Sequence, residues 1–338
     1  MKTLPTFSIR QHKYRTILLL GLLVVLAALM SLCFGAVSVA RGEIWQVLLG
    51  NRQGTAQAHI ILYSRLPQTC GCLLAGAALA VAGAVIQGVL HNPLAAPNVI
   101  GVNSGAGLMV ALCCAIAPTA IWAVPFAAFL GALAGSLLVF FVAQRTGASR
   151  MTLVLAGIAI SGMFSAGIDT VVTFFPDALN GYSDFRIGGF RNLAMSRIVP
   201  AFWVILLAML GAFLLSGELD LLSLGEETAR SLGLSVGRVR MLLLVCAAAL
   251  AGAAVSFAGL LGFVGLIVPH IMRRLVGEES LPLLAASALG GAALVTLCDL
   301  AARTLFAPYV QPVGRVLSLL GGGFFLWLLT RRRGGSHG

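Results

Sequence analysis

The chain reads as ten long apolar blocks separated by short polar breaks, at roughly 17–37, 66–90, 98–117, 121–144, 151–175, 198–217, 239–261, 264–276, 282–305 and 313–331. A helix needs about 20 mostly apolar residues to cross the hydrocarbon of a bilayer, so each block predicts one spanning helix. The fold class expected is all-α, a polytopic bundle of about ten transmembrane helices. Block 264–276 is short and interrupted by Pro269 and His270, and is expected to span only part of the bilayer or to lie partly buried in protein. The organisation expected is a basic tail over 1–16, one transmembrane domain over 17–331, and a second tail over 332–338.

The most constrained break is His91-Asn92-Pro93-Leu94-Ala95-Ala96-Pro97. Each proline removes a backbone donor and pushes the residue before it out of the helical region, so the chain turns sharply there. Gly76, Ala80, Ala84 and Gly88 recur every four residues before this elbow, as do Gly101 with Gly105 and Gly131 with Gly135 after it. Small residues at that interval let membrane helices approach closely, which predicts tight packing. The run Gly101-Val-Asn-Ser-Gly-Ala-Gly is not read as a phosphate loop, because no strand precedes it.

Composition supports the membrane reading: 59% of the 338 residues are hydrophobic and 10% are charged. The net charge of +11 sits in short loops at helix ends rather than on one soluble face, which turns the reading from nucleic acid to membrane topology. Ten spans put both termini on one side. That side holds 14 of the 22 lysines and arginines against 8 on the other, so the positive-inside rule predicts cytoplasmic termini. Residues Lys2 to Arg15 imitate the start of a secretory signal and Ala36 to Ala40 its cleavage site, but nine further spans favour an uncleaved first helix. The seven cysteines, Cys33, Cys70, Cys72, Cys113, Cys114, Cys246 and Cys298, lie in or beside apolar blocks. They include no Cys-x-x-Cys pair, so they read as packing residues and no metal site is expected.

Only two lysines occur, Lys2 and Lys13, both in the N-terminal tail. A phosphate-binding P-loop needs a lysine in its glycine-rich turn, so any ATP-driven step requires a separate ATPase polypeptide. Its expected dock is the loop 218–240. There Gly225, Glu226, Glu227, Ala229, Arg230, Leu232 and Gly233 have the makings of a short helix, with acids at its positive end and Gly233 to end it. Ala229 and Leu232 are expected on one face, with Glu226, Glu227 and Arg230 left for solvent or a partner. Three ionisable groups stand inside spans and are functional candidates. Asp299 and Arg303, four apart, are expected to pair; Asp169 is a candidate for the translocation path or a polar interhelical contact. A rival reading is an ion-coupled secondary transporter using Asp169 or the Asp299 and Arg303 pair. A membrane-embedded enzyme would need convergent His, Cys or carboxylate groups, which are nearly absent from the spans.

From about residue 60 to 331 the chain resembles the permease subunits of the ATP-binding-cassette importers for iron chelates, haem and vitamin B12. The resemblance is carried by Arg65-Leu-Pro67, Gly76-Ala-Ala-Leu-Ala80, Gly83, Gln87, Asn92-Pro93-Leu94-Ala95, Pro97, Gly101 and Gly105-Ala106. It continues in Ala229, Leu232-Gly233, Gly262-Phe263-Val264-Gly265-Leu266, Pro269-His270, Arg273, Asp299, Arg303 and Pro312-Val313-Gly314. It departs from the family where Gln68 and His91 replace arginines and Gln311 replaces a glutamate.

The resemblance implies a type II importer fold in a bacterial or archaeal cytoplasmic membrane. Segment 225–237 would be the region coupled to two ATPase subunits, and the turn at Asn92, Pro93 and Leu94 a cytoplasmic gate. Arg65 and Arg303 would dock an extracytoplasmic binding protein, with Arg186, Arg191 and Arg197 as further basic residues on that side. It implies a second permease copy, no catalytic residues and no cofactor on this chain, with ATP and Mg²⁺ held by the ATPase. Iron complexes (siderophore or haem) are the implied cargo, cobalamin the alternative.

Overall fold

A computed structural model describes residues 6–35, 41–48, 55–146, 150–305 and 309–333. Among them are fifteen α-helices and no strand: α1 (Thr6–Cys33), α2 (Arg41–Leu48), α3 (Ala56–Ile60), α4 (Leu66–Leu90), α5 (Val102–Ile116), α6 (Val124–Arg145), α7 (Arg150–Phe174) and α8 (Ala178–Ile187), then α9 (Met195–Leu214), α10 (Ser216–Ser223), α11 (Glu226–Ser231), α12 (Val236–Ala258), α13 (Val264–Val276), α14 (Ser280–Thr304) and α15 (Val313–Arg333). Each of the ten apolar blocks is a helix here. Seven stretches are long and apolar enough to cross a membrane, and α5 and α15 hold shorter apolar segments. The short block 264–276 is α13, with the bounds expected. The tail differs: its described part, from Thr6, already belongs to α1. Residues 1–5, 36–40, 49–54, 147–149, 306–308 and 334–338, which include the Ala36 to Ala40 segment, lie outside the described residues.

Helix α4 is the axis of the bundle, packed by α14, α12, α13 and α9, while α5, α6 and α7 form a neighbouring group and α1 lies on α14. It is continuous with α3 through one π-helical turn, Ile61–Arg65, where the Leu66 N–H reaches the Ile61 carbonyl. Pro67 explains that turn. Lacking an N–H, its ring crowds the carbonyl four residues back, and a wider turn lets the helix continue past it. The helix ends at His91, which adopts the left-handed conformation (φ 47°, ψ 38°) and donates its N–H to the Gln87 and Gly88 carbonyls.

The small-residue repeats meet one another. Gly105 lies against Gly131, and Gly101 against Gly135, so the two pairs read in sequence form the α5–α6 crossing. On α4, Gly76 faces Gly291 of α14, and Gly83 faces the backbone of Gly265 on α13. This last crossing solves a problem created by Pro269, which cannot donate to the Gly265 carbonyl one turn back. The buried Gln87 side chain donates Nε2 to that carbonyl at 3.1 Å. Gln87→Leu strands it, and the expected cost is about 1–3 kcal/mol, read as a lower melting temperature of the purified protein.

Alternation along the ten long helices defines two ends. At the near end α1 begins, α4 stops, and Lys13 Nζ pairs with Glu279 Oε2 at 2.6 Å. At the far end the Leu260 N–H donates to the Phe185 carbonyl (3.0 Å) and the Gly189 N–H to the Ala258 carbonyl (2.7 Å). Gly314, from the Pro312-Val313-Gly314 motif, sits against the Ile187 carbonyl there.

Candidate functional site

At the near end, α10 and α11 carry the loop read as an ATPase dock. The Glu226 and Glu227 carboxylates begin α11, where the helix dipole favours negative charge. Gly225 (φ 108°) and Gly233 (φ 85°) bracket it in conformations that L side chains rarely adopt. Glu226 is not free for a partner as expected. It accepts from Arg230 Nη2 at 2.7 Å and from Arg240 Nη2 at 3.0 Å, and Arg240 is buried. The shared face expected of Ala229 and Leu232 is also corrected. Ala229 is fully buried whereas Leu232 is 59% exposed, because α11 stops at Ser231 and Leu232 leaves the helical path. A second tie was not visible in the sequence: Asp220 Oδ1 accepts from the Ser280 N–H at 2.8 Å, capping the start of α14 from 60 residues away. The loop is thus anchored to α12 and α14, while Glu227, Arg230, Leu224 and Leu232 remain exposed.

Close by lies the elbow of Asn92, Pro93 and Leu94. The Asn92 side chain accepts from the Leu94 N–H at 3.0 Å, a local turn that helps to hold the elbow. Pro93 and Leu94 lie with Leu266, His270, Phe324 and Phe325 around a small space on α13 and α15. His270 meets Phe324 edge to face at 5.8 Å between ring centroids.

The far end holds the expected docking arginines, but not at the surface. Arg65 and Arg303 are 3% and 4% exposed. Arg65 Nη1 donates to the Leu32 and Cys33 carbonyls at 2.8 and 3.0 Å, taking up acceptors that the end of α1 leaves open. Arg303 Nε stands 3.2 Å from Asp299 Oδ2, and its Nη2 donates to the Ser31 carbonyl at 3.0 Å and to the Ser31 hydroxyl. The Asp299 and Arg303 pair is therefore formed as read. Gln68, noted only as a departure, completes it by donating Nε2 to both Asp299 oxygens at 3.1 and 3.0 Å. Serving as exposed rim charges is corrected for both arginines: they tie α1, α4 and α14 together. A pocket of about 200 Å³ opens beside them, lined also by Gly35, Ser64, Gln68, Arg191 and Asn192. Among the described residues, the arginines exposed on this side are Arg186, Arg191, Arg197 and Arg315.

Asp169 lies on the outward face of α7 and is exposed, with Thr170 and Thr173 beside it. Helix α8 folds back near it. Burial raises the Tyr182 phenol above its ordinary range, Arg186 opposes this and the Asp169 charge adds to it.

Comparisons with known proteins agree with this architecture. The chain matches the FecCD transport family over residues 22–331. It is 37% identical to the hemin transport system permease protein HmuU of Yersinia pestis, over 94% of this chain and 96% of that one. It is 34% identical to the Fe(3+) dicitrate transport system permease protein FecC of Escherichia coli, over 92% and 95%. Among solved structures, one described as a metal-chelate type ABC transporter in an inward-facing conformation superposes with a TM-score of 0.84 at 29% identity, covering 94% of this chain and 99% of that one. A ten-helix bundle with these motifs in order, matched across nearly its whole length, belongs to the FecCD transport family of ATP-binding-cassette importer permeases.

Proposed function

We propose that this chain forms the membrane path of an importer for an iron complex, a siderophore or haem, working as a homodimer with two copies of a separate ATPase. The near end faces the cytoplasm, as the distribution of basic residues favours. A binding protein delivers cargo to the far end. The observation that carries this reading is the loop 216–235: anchored by Glu226–Arg240 and Asp220–Ser280, it still presents Leu224, Glu227, Arg230 and Leu232 outward. A rigid, anchored projection can pass a push into the bundle, which a slack connector cannot. The elbow at Asn92, Pro93 and Leu94 is the gate it acts on.

The exposed face of α7, with Gly162, Asp169, Thr170 and Thr173, suits the wall of a path shared with a second copy. A Cβ added at Gly162 on α7 or at Gly322 or Gly323 on α15 would meet no described residue within 4 Å, leaving room for another helix to approach. The near-equal likeness to haem and iron-citrate permeases supports an iron complex as the cargo class.

The test is ATP-driven uptake in proteoliposomes containing this chain, its co-purifying ATPase and its binding protein. Iron-siderophore, haem and cobalamin are offered in parallel. Uptake of an iron complex is the expected result; uptake of cobalamin alone moves the cargo to the alternative. Uptake without any ATPase, driven by an ion gradient, overturns the importer reading in favour of coupling through Asp169. In the same assay Leu232→Asp places a charge where an apolar contact with the ATPase is expected. Since a central contact is worth about 2 kcal/mol or more, ATPase retention and uptake should fall about tenfold or more.

A further inference from the structure

One large cavity has no part in this mechanism. It is a groove of about 720 Å³ between α6, α9 and α12, at the far end of the bundle. Its walls are Phe126, Phe129 and Leu130 on α6 and Pro200, Ala201 and Val204 on α9. Ala253 and Ser256 of α12 line it too, beside Gly252, which packs against Ala132 and Phe129 of α6. All three helices are long and apolar enough to cross a membrane, so the groove opens onto hydrocarbon rather than water. A space this size is many times the roughly 30 Å³ share of one water, and apolar walls offer water too few partners.

The mouth has the opposite chemistry. The Arg197 guanidinium, in the first turn of α9, is exposed and makes no hydrogen bond or ion pair with any described residue. Ser196 stands next to it, and the Trp122 ring, 73% exposed, is on the opposite lip, at the level where indoles favour the bilayer interface. The mouth thus offers a cation and a hydroxyl. From Arg197 to Val204 the helix descends about 10 Å, so the groove runs from the level of lipid phosphates down among acyl chains.

We propose that this groove is a binding site for an anionic glycerophospholipid, its phosphate on Arg197 and one acyl chain laid along Phe126, Phe129, Ala201 and Val204. The charge at the mouth selects the headgroup, since a phosphate accepts the planar guanidinium fork well. The groove selects a lipid over a free anion, because an inorganic phosphate leaves the apolar walls uncovered. The site concerns how the bundle sits in its membrane and stands apart from the importer reading.

Native mass spectrometry of the full transporter in mild detergent tests it, with phosphatidylglycerol, phosphatidylcholine and inorganic phosphate as probes. The expected result is one tightly retained phosphatidylglycerol per permease chain. Arg197→Gln should lower its retention about tenfold, the worth of one charge-assisted contact, and Arg197→Lys should restore part of it. Ala194→Trp, a substitution at an exposed position on the mouth, should block entry without disturbing the core. The proposal is overturned by no retained lipid, by equal retention of phosphatidylcholine, or by displacement with inorganic phosphate. Unchanged retention in both Arg197→Gln and Ala194→Trp overturns it too, as does a disulfide between two permease copies through Phe126→Cys, which would make the groove a protein interface.

Discussion

Arg303→Ala is expected to be among the most damaging single substitutions in this chain, although it removes a residue that resemblance assigns to partner docking. The change leaves Asp299 buried at 4% exposure without its cation, and leaves the Ser31 carbonyl without the Arg303 donor. Breaking a buried ion pair by removing one partner costs about 3–5 kcal/mol, and an ionisable group inside a membrane bundle has little water to fall back on. Gln68 retains its hydrogen bonds to the carboxylate but supplies no charge. The folding equilibrium should therefore shift by at least about a hundredfold, at 1.4 kcal/mol per tenfold. The readout is loss of monodisperse protein on size exclusion. The double variant Asp299→Leu, Arg303→Met should recover much of that loss, because replacing both members by apolar groups of similar volume is often neutral. A role confined to binding-protein docking makes the opposite forecast: normal folding in Arg303→Ala, with uptake lost.

Gly83→Ala should be comparably severe for a reason that involves no charge. The added methyl would overlap the backbone of Gly265, and backbone on both sides leaves no flexible side chain to give way. Overpacking a tight interior costs about 1–3 kcal/mol and sometimes more. Here the displacement of α13 would also break the bond from Gln87 to the Gly265 carbonyl. That adds about 1–3 kcal/mol for a buried acceptor left open. Gly21→Ala on α1 is the control, since nothing lies within 4 Å of the methyl it adds. It should leave the melting temperature unchanged or raise it slightly through better helix propensity. Equal behaviour of the two variants would mean that α4 and α13 do not cross as closely as the structure has them.

These two cases mark where reading the chain reaches its limit. Bilayer thickness imposes a length on every apolar block, and prolines and glycines act within a few residues of themselves. The ten helices, the short α13, the elbow at Asn92 to Pro97 and the brief helix α11 between Gly225 and Gly233 were therefore legible from sequence alone. So was the Asp299 and Arg303 pair, whose spacing of four puts both on one helix face. The glycine repeats announced close crossings, yet did not say that Gly105 meets Gly131 or that Gly83 meets Gly265.

What the tertiary structure decided is which distant groups satisfy one another. Arg303 reaches Ser31 across 272 residues and Gln87 reaches Gly265 across 178, and no local pattern encodes such a partner. The burial of Arg65 and Arg303 followed from that, since a cation can be taken out of solvent only where acceptors from other helices converge on it. Helical spacing alone put Ala229 and Leu232 together, whereas burial separates them: Ala229 faces the bundle and Leu232, past the end of α11 at Ser231, is exposed. The sequence by itself determined the membrane, the ten apolar helices and the class of machine. The pairing of helices far apart along the chain determined which of its charged residues hold the bundle together and which remain outside for a partner.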